Sequence, residues 1–452
     1  MRSIGIDIGT TTVSVTLIDG DGPRVLEKHT LENGSFLKTA FSWERVQNVG
    51  VIVSRVLSVL EELLEKESDV VSIGLTGQMH GIVYVDGEGR AVSPLYTWQD
   101  GRGGLPDVQG KSLSQKLSEQ GLYAALGYGA VTHWYNVQNH LVPQEAVSFC
   151  TVADYVGMYL TGRKTPLVHS SQAASLGLFD REAMAFQAEA LRELGMDPGM
   201  FPPVTQELEL LGEYRGILVS VSLGDNQASF LGSVRLAEET VLANLGTGGQ
   251  ISVWSPHAFA ASGIEARPFL MGGFLLVGAT LCGGAAYAAL EGFLREYAVA
   301  AGAPDVPQYD VMASLLEGAS QEAWQVKTTF AGTRENPLET GGIQGIRVDN
   351  FHPASLIRGV LNGMAEELFQ LYQVICQGTG SSRGSLVCSG NGVRRNPALR
   401  RALEERFQMP LAMVDTQEEA AFGAAVSALA AVGKLSLAEW LGLSQQPQQK
   451  NS

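Results

Sequence analysis

Two short turns of glycine and threonine, about half the chain apart, constrain the fold of this sequence more than anything else in it. The first is Gly5-Ile6-Asp7-Ile8-Gly9-Thr10-Thr11-Thr12. An apolar/polar alternation enters it, and Val13-Ser14-Val15-Thr16-Leu17-Ile18 leaves it, the pattern of a β-hairpin with glycine at the bend. Glycine lets the backbone turn tightly and keeps a Cβ from blocking a ligand. The threonines crowd N–H and hydroxyl donors onto one point, and Asp7 adds a carboxylate. Such a set suits a phosphate with its metal ion. Alone, it could equally be an ordinary polar hairpin. Residues 243–253, Ala-Asn-Leu-Gly-Thr-Gly-Gly-Gln-Ile-Ser-Val, repeat the plan. The repeat predicts a duplicated domain and a phosphate tail gripped from both sides.

The 452 residues suffice for two domains with full cores. A net charge of −16 argues against nucleic-acid or anionic-membrane partners, which need a basic face. It leaves a nucleotide ligand open, because a few backbone donors hold phosphates without net positive charge. Cys150, Cys282, Cys376 and Cys388 lie far apart with no C-x-x-C pair, which fits a reducing cytoplasm better than zinc or disulfides. The start opens directly into a strand pattern, so no secretory leader is expected. The run from Ala420 to Val432 is too short to span a membrane.

The apolar spacing of Val46, Val49, Val53, Val56, Leu60 and Leu63 predicts a helix from Trp43 to Lys66. A buried strand at 70–75 runs into Thr76-Gly77-Gln78-Met79-His80-Gly81, and strand ends in α/β sheets are where ligands bind. Residues 103–215 read as irregular insertions and a lid. Strand 217–221 delivers Gly224-Asp225-Asn226, with a boundary expected around 228–240. Helices are expected over 283–301, 354–376 and 418–432, the last so rich in alanine and glycine that it must pack closely on a neighbour. Asn396-Pro397 reads as a capped helix start. The expected division is 1–230, 231–443 and a polar tail at 444–452.

No G-x-x-x-x-G-K-[ST] loop occurs, so this is not a P-loop protein, and no full G-x-G-x-x-G follows a strand. Asp225 is the candidate general base. An alcohol hydroxyl is a poor nucleophile at neutral pH, and a carboxylate that takes its proton contributes roughly 10²–10⁴-fold in rate. A turn aspartate satisfying its own backbone is the alternative. Phosphoryl transfer otherwise needs positioning and charge stabilisation. Thr10, Thr11, Gly246 and Thr247 would supply donors to the phosphates, and Asp7 would hold Mg2+ through water. Gln78, Met79, His80, Asp100 and Arg102 around the Trp98 platform would suit a polyhydroxylated ligand. Alternatively, His80 could be structural, and Asp100 and Arg102 could simply bridge each other at the surface.

In order and content these turns resemble the FGGY family of carbohydrate kinases over nearly the whole chain. Gly5 to Thr11 matches the first phosphate motif, Asn244-Leu245-Gly246-Thr247-Gly248 the second, and Gly224-Asp225-Asn226 the segment bearing the catalytic aspartate. Gly390-Asn391-Gly392 with Asn396-Pro397 resembles the adenosine motif, with Gly284 on the same side. Gln78-Met79-His80-Gly81 is similar to a sugar-site signature of the family. Trp98-Gln99-Asp100-Gly101-Arg102 is similar to the form in sedoheptulokinase-like members rather than the Trp-Asn-Asp-x-Arg of xylulokinase-like ones. Ser14 departs from the lysine many members carry. The resemblance implies an α/β fold of two ribonuclease-H-like (actin-like ATPase) domains with a ligand cleft between them. It implies ATP and Mg2+ as cofactors, a ketose as acceptor, and leaves a homodimer open. An actin-like or heat-shock-type ATPase shares the phosphate hairpins but has no use for the sugar turns.

Overall fold

The computed structural model describes every residue except 108, 319, 334, 335, 337, 415 and 444–452; the expected polar tail lies outside the described residues. The chain forms two compact units. Among the described residues, one comprises 1–235, 268–273 and 418–443; the other comprises 236–267 and 274–417.

The first unit contains β1 (Arg2–Ile8), β2 (Thr12–Asp19), β3 (Arg24–Glu32), α1 (Val49–Lys66), β4 (Val70–Gly77), α2 (Gly129–Gln138), α3 (Val152–Thr161), β5 (Leu210–Tyr214), β6 (Ile217–Ser220), β7 (Leu223–Gly224) and α4 (Asp225–Ser233). Its seven-stranded sheet runs β5-β6-β4-β1-β2-β3, with β7 beside β4. The second unit contains β8 (Thr240–Leu245), β9 (Gly249–Ser255), β10 (Ile264–Pro268), β11 (Phe274–Thr280), α5 (Gly284–Ala300), α6 (Pro353–Thr379), β12 (Ser385–Ser389), α7 (Pro397–Phe407) and β13 (Leu411–Met413). Its six-stranded sheet runs β10-β11-β9-β8-β12-β13.

The duplication expected from the hairpins is present. The run β3-β2-β1-β4-β6 in one unit has the same order and directions as β11-β9-β8-β12-β13 in the other. In each, two antiparallel pairs are followed by two parallel ones.

The core of the first unit explains its sequence. Ile4, Ile6 and Ile8 of β1 and Ile73 and Leu75 of β4 share one buried cluster with α1 and α3. The alternate residues are small, and they meet the alanine-rich helix Glu419–Ala431. Ser3 Oγ donates to the Ala425 carbonyl at 3.1 Å. A Cβ at Gly5 would stand 1.8 Å from the Ala421 carbonyl oxygen, and one at Gly74 1.8 Å from that of Ala424. The helix thus lies on the strand backbone itself, antiparallel to β1. In sequence it belongs to the second half; in space it returns to the first unit.

Two expectations need correction. Helix α1 begins at Val49, not Trp43, because Asn48 caps it: its Oδ1 accepts the Val51 N–H at 3.2 Å. Val46 and Gln47 are extended instead. Nor is the whole of 103–215 insertion and lid. α3 is buried on nearly every side, and Val152, Ala153, Val156 and Met158 belong to the sheet's own core.

The close helix–strand contact generates a prediction. Gly74→Ala forces a methyl group into a carbonyl and destabilises the protein by about 3 kcal/mol or more, at or above the usual overpacking range. Gly22→Ala, where nothing lies within 4 Å, changes stability by less than about 0.5 kcal/mol. Urea melts of the two variants check this, and equal midpoints would contradict the packing.

Candidate active site

In the first unit, β1, β4 and β7 are parallel neighbours, with Asp7 opposite Thr76 and Thr76 opposite Leu223. All three strands end at one edge. There β1 gives way to Gly9-Thr10-Thr11, β4 to Gln78-Met79-His80, and β7 to Asp225, the first residue of α4. The parallel register therefore gathers Asp7, Gln78 and Asp225 at the carboxyl end of one sheet. Thr76 Oγ1 at 2.8 Å and Gln172 Nε2 at 3.0 Å both donate to the Leu223 carbonyl and anchor β7. Asp225 Oδ1 accepts the Asn226 N–H at 2.6 Å.

Asp7 is the most perturbed group of this edge. Burial, and then the carboxylates of Asp225 and Glu418, push its pKa up to about 7. Glu418 was not among the expected residues. It precedes the alanine-rich helix and accepts a hydrogen bond from Thr30 Oγ1 at 3.0 Å. The antiparallel course of that helix over Ser3 and Gly5 brings its start to Asp7.

Thr10 ties the first glycine-threonine turn to the turns of Gln78 and Trp98. Trp98 Nε1 donates to Thr10 Oγ1 at 2.9 Å, and Thr10 Oγ1 donates to Gln78 Oε1 at 3.4 Å. Gln78 Nε2 donates to Gln47 Oε1, and Gln47 Nε2 to the Thr10 carbonyl, each at 2.8 Å. Buried Gln47 closes this ring, yet nothing in its sequence context marked it. Trp98 keeps 45% of its surface exposed, enough for a stacking platform. Thr11 is exposed, and Met79 is buried with its thioether against Gly224. His80 adopts φ 74°, sparsely populated for a non-glycine residue. Its Nδ1 donates to the Ser175 carbonyl at 2.7 Å, and its ring stacks on Tyr128 at 4.4 Å. Tyr128 was also missed; an aromatic residue ahead of a helix carries no signal of its own.

Asp100 and Arg102 have another setting than the expected open contacts. Asp100 is 0% and Arg102 2% exposed. Asp100 Oδ1 accepts from Arg102 N and Nε at 3.1 and 2.6 Å, and Oδ2 accepts from Arg45 N and Arg102 Nη2 at 3.0 and 3.2 Å. These fill the lone-pair sites of a carboxylate. The Arg102 guanidinium lies 4.2 Å from the Tyr96 ring centroid. The pair frames the turn that carries Trp98.

In the second unit, Gly246 and Thr247 are exposed in the turn between β8 and β9. The start of α5 clasps that turn: Gly284 N donates to the Gly246 carbonyl and Ala285 N to that of Thr247, both at 2.9 Å. Gly390 and Gly392 lie against the Leu245 carbonyl. Asn391 is exposed beside them. Asn396 Oδ1 accepts the Leu399 N–H at 3.0 Å, capping α7, and its side chain also bonds Tyr287.

Comparison with known proteins decides the family. Residues 3–232 match the N-terminal domain of the FGGY family of carbohydrate kinases, and 244–432 its C-terminal domain. The chain belongs to the FGGY family of carbohydrate kinases. Human sedoheptulokinase is 27% identical over 94% of this chain and 96% of its own length. A Streptomyces coelicolor xylulose kinase is 25% identical over 94% of this chain and 87% of its own. Among solved structures, the xylulose kinase of Rhodospirillum rubrum superimposes with a TM-score of 0.83 at 20% identity, covering 98% of this chain and 92% of that one. This FGGY kinase thus has the two-domain α/β, ATPase-like fold of its relatives. No helix among its described residues is long and apolar enough to cross a membrane.

A buried histidine supports the kinase's Gly224–Asp225 turn. His169 Nε2 donates to the Gln206 carbonyl at 3.2 Å, while Nδ1 accepts from Ser171 N at 3.1 Å and Ser171 Oγ at 2.8 Å. Ser171 Oγ in turn accepts the Gly224 N–H at 3.1 Å. This arrangement requires a neutral ring, and burial pushes the His169 pKa down to about 4. An unfolded histidine titrates near 6.5. Below that pH the unfolded chain binds the extra proton, so stability falls with pH until about 4 is reached. Between pH 7 and pH 5 wild type loses about 2 kcal/mol more stability than His169→Gln. Denaturant melts at the two pH values test this; parallel losses would show that His169 is not held neutral.

Proposed function

We propose that this FGGY kinase transfers the γ-phosphoryl group of MgATP to the terminal hydroxyl of a ketose, with sedoheptulose preferred and its 7-phosphate as product. The observation that carries the reading is the Trp98-Gln99-Asp100-Gly101-Arg102 turn, framed by the buried Asp100–Arg102 pair. The similarity to sedoheptulokinase over nearly the full length of both chains supports it. Xylulose is the second candidate, since several relatives are xylulose kinases.

Asp225 takes the hydroxyl proton as that oxygen bonds to the γ-phosphorus and the bond to ADP breaks. Gln78 and His80 orient the sugar over Trp98, with Met79 beneath, and Asp100 and Arg102 hold the turn. Thr10, Thr11, Gly246 and Thr247 donate to the phosphates. Gly284, Gly390, Asn391 and Asn396 belong to the adenosine side. The residues around Asp7 fit magnesium held through water. The carboxylates of Asp225 and Glu418 repel that of Asp7, which a cation relieves, yet among the described residues no three acidic, histidine or cysteine groups enclose a metal. Magnesium, when bound, supplies charge neutralisation at the phosphates. The proposed setting is the cytoplasm, where MgATP and a reducing milieu coexist.

An ADP-release assay over sedoheptulose, xylulose, ribulose, fructose and glycerol tests the reading. The expected result is a kcat/KM for sedoheptulose about tenfold or more above the next substrate, within what one extra contact supplies. A clear preference for xylulose would overturn the sedoheptulose assignment, and preference for glycerol would overturn the ketose reading.

A further inference from the structure

Behind the Trp98–Arg102 turn runs an unbroken line of buried polar side chains that take no part in the proton or phosphoryl transfer. Arg102 Nη1 donates to Asn136 Oδ1 at 2.7 Å. Asn136 Nδ2 reaches the Tyr84 hydroxyl at 3.3 Å, and that hydroxyl lies 2.8 Å from His133 Nδ1. Asp100, Arg102, Asn136, Tyr84 and His133 are all buried.

The protons along this line have one consistent direction. A guanidinium can only donate, so the amide oxygen of Asn136 faces Arg102 and its NH2 faces Tyr84. Tyr84 therefore accepts from Asn136 and spends its own proton on His133 Nδ1. His133 is left with its hydrogen on Nε2, an atom with no hydrogen-bond partner among the described residues. Asn136 has no second orientation that satisfies both neighbours. Its amide orientation is thus determined, and its oxygen holds the one guanidinium nitrogen, Nη1, that Asp100 does not.

One helix serves both sugar turns. Tyr128, the residue before α2, stacks on His80, and Asn136, two turns later, holds Arg102. His133 stands one turn before Asn136 on the same helix face.

We propose that Asn136 is a positioning residue for the sugar site, and that the Asn136–Tyr84–His133 line sets ketose affinity without touching the ketose. This rests on the ketose-kinase reading. Arg102 and its N–H order Asp100, Asp100 fixes Arg45 N, and the turn so built presents Trp98. Removing the Asn136 acceptor leaves a buried guanidinium hydrogen unpaired and lets the turn shift, and a supporting residue acts through such shifts.

The test compares wild type with Asn136→Leu, Asn136→Asp and Tyr84→Phe in steady-state kinetics, varying ketose and ATP separately, with thermal melts alongside. Asn136→Leu raises the ketose KM about tenfold or more while the ATP KM stays within about twofold. Asn136→Asp keeps an acceptor for Arg102 and returns the ketose KM to within about threefold of wild type. Tyr84→Phe shifts the ketose KM in the same direction as Asn136→Leu, by less. If Asn136→Leu does not fold, the Tyr84→Phe shift decides. An unchanged ketose KM, or equal rises for ketose and ATP, overturns the proposal while leaving the kinase reading intact. A wild type inactive on every ketose overturns the reading itself, and the proposal with it.

Discussion

The first unit depends on one close contact, the passage of the alanine-rich helix over the small-residue face of β1 and β4. Ser3, Gly5 and Asp7 alternate on β1, and Ser72, Gly74 and Thr76 on β4. The helix backbone meets the first of these through Ser3 and Gly5 at distances no larger side chain would allow. Because the helix runs antiparallel to β1, its Glu418 end arrives where Asp7 ends that face. The contact that completes the core therefore also completes the acidic edge of the site.

That edge has an energetic logic. Asp7 has a pKa of about 7 because burial and two carboxylates oppose its ionisation. Such a group is costly in a folded protein unless a cation joins it, which is the condition MgATP would bring. The polar groups around it are used differently. Thr10, Gln78 and Gln47 form a ring on which Trp98 hangs by one hydrogen bond, and Asp100 and Arg102 satisfy each other. Full pairing leaves these groups little freedom, so the turns keep their shape and Trp98 stands exposed on a rigid base.

Much of the fold was legible in the sequence because its signals are local. Both glycine-threonine turns, the alternating strands beside them and the Asn396-Pro397 helix start depend on residues within one hairpin or one turn. The start of α1 was misread: the spacing of Val46 suggested a helix from Trp43, whereas Asn48 caps it and Val46 and Gln47 are extended. The site was legible only where its residues end strands. Gln47, Tyr128, His169, Glu418 and Asn136 enter through contacts between distant segments, and no short pattern announces them. The pairing of Asp100 with Arg102 stood among the alternatives at the outset, but burial, which only the packed structure reveals, separates a framing role from an open contact.

The central claim is that Asp225, at the shared strand edge, is the base of a sugar kinase. Calorimetry and product formation on Asp225→Asn test it most directly. The account predicts that the variant binds ATP and sedoheptulose with affinities within about threefold of wild type while sugar phosphate formation falls by roughly 10²–10⁴-fold. Turnover within about tenfold of wild type, with binding intact, would contradict it.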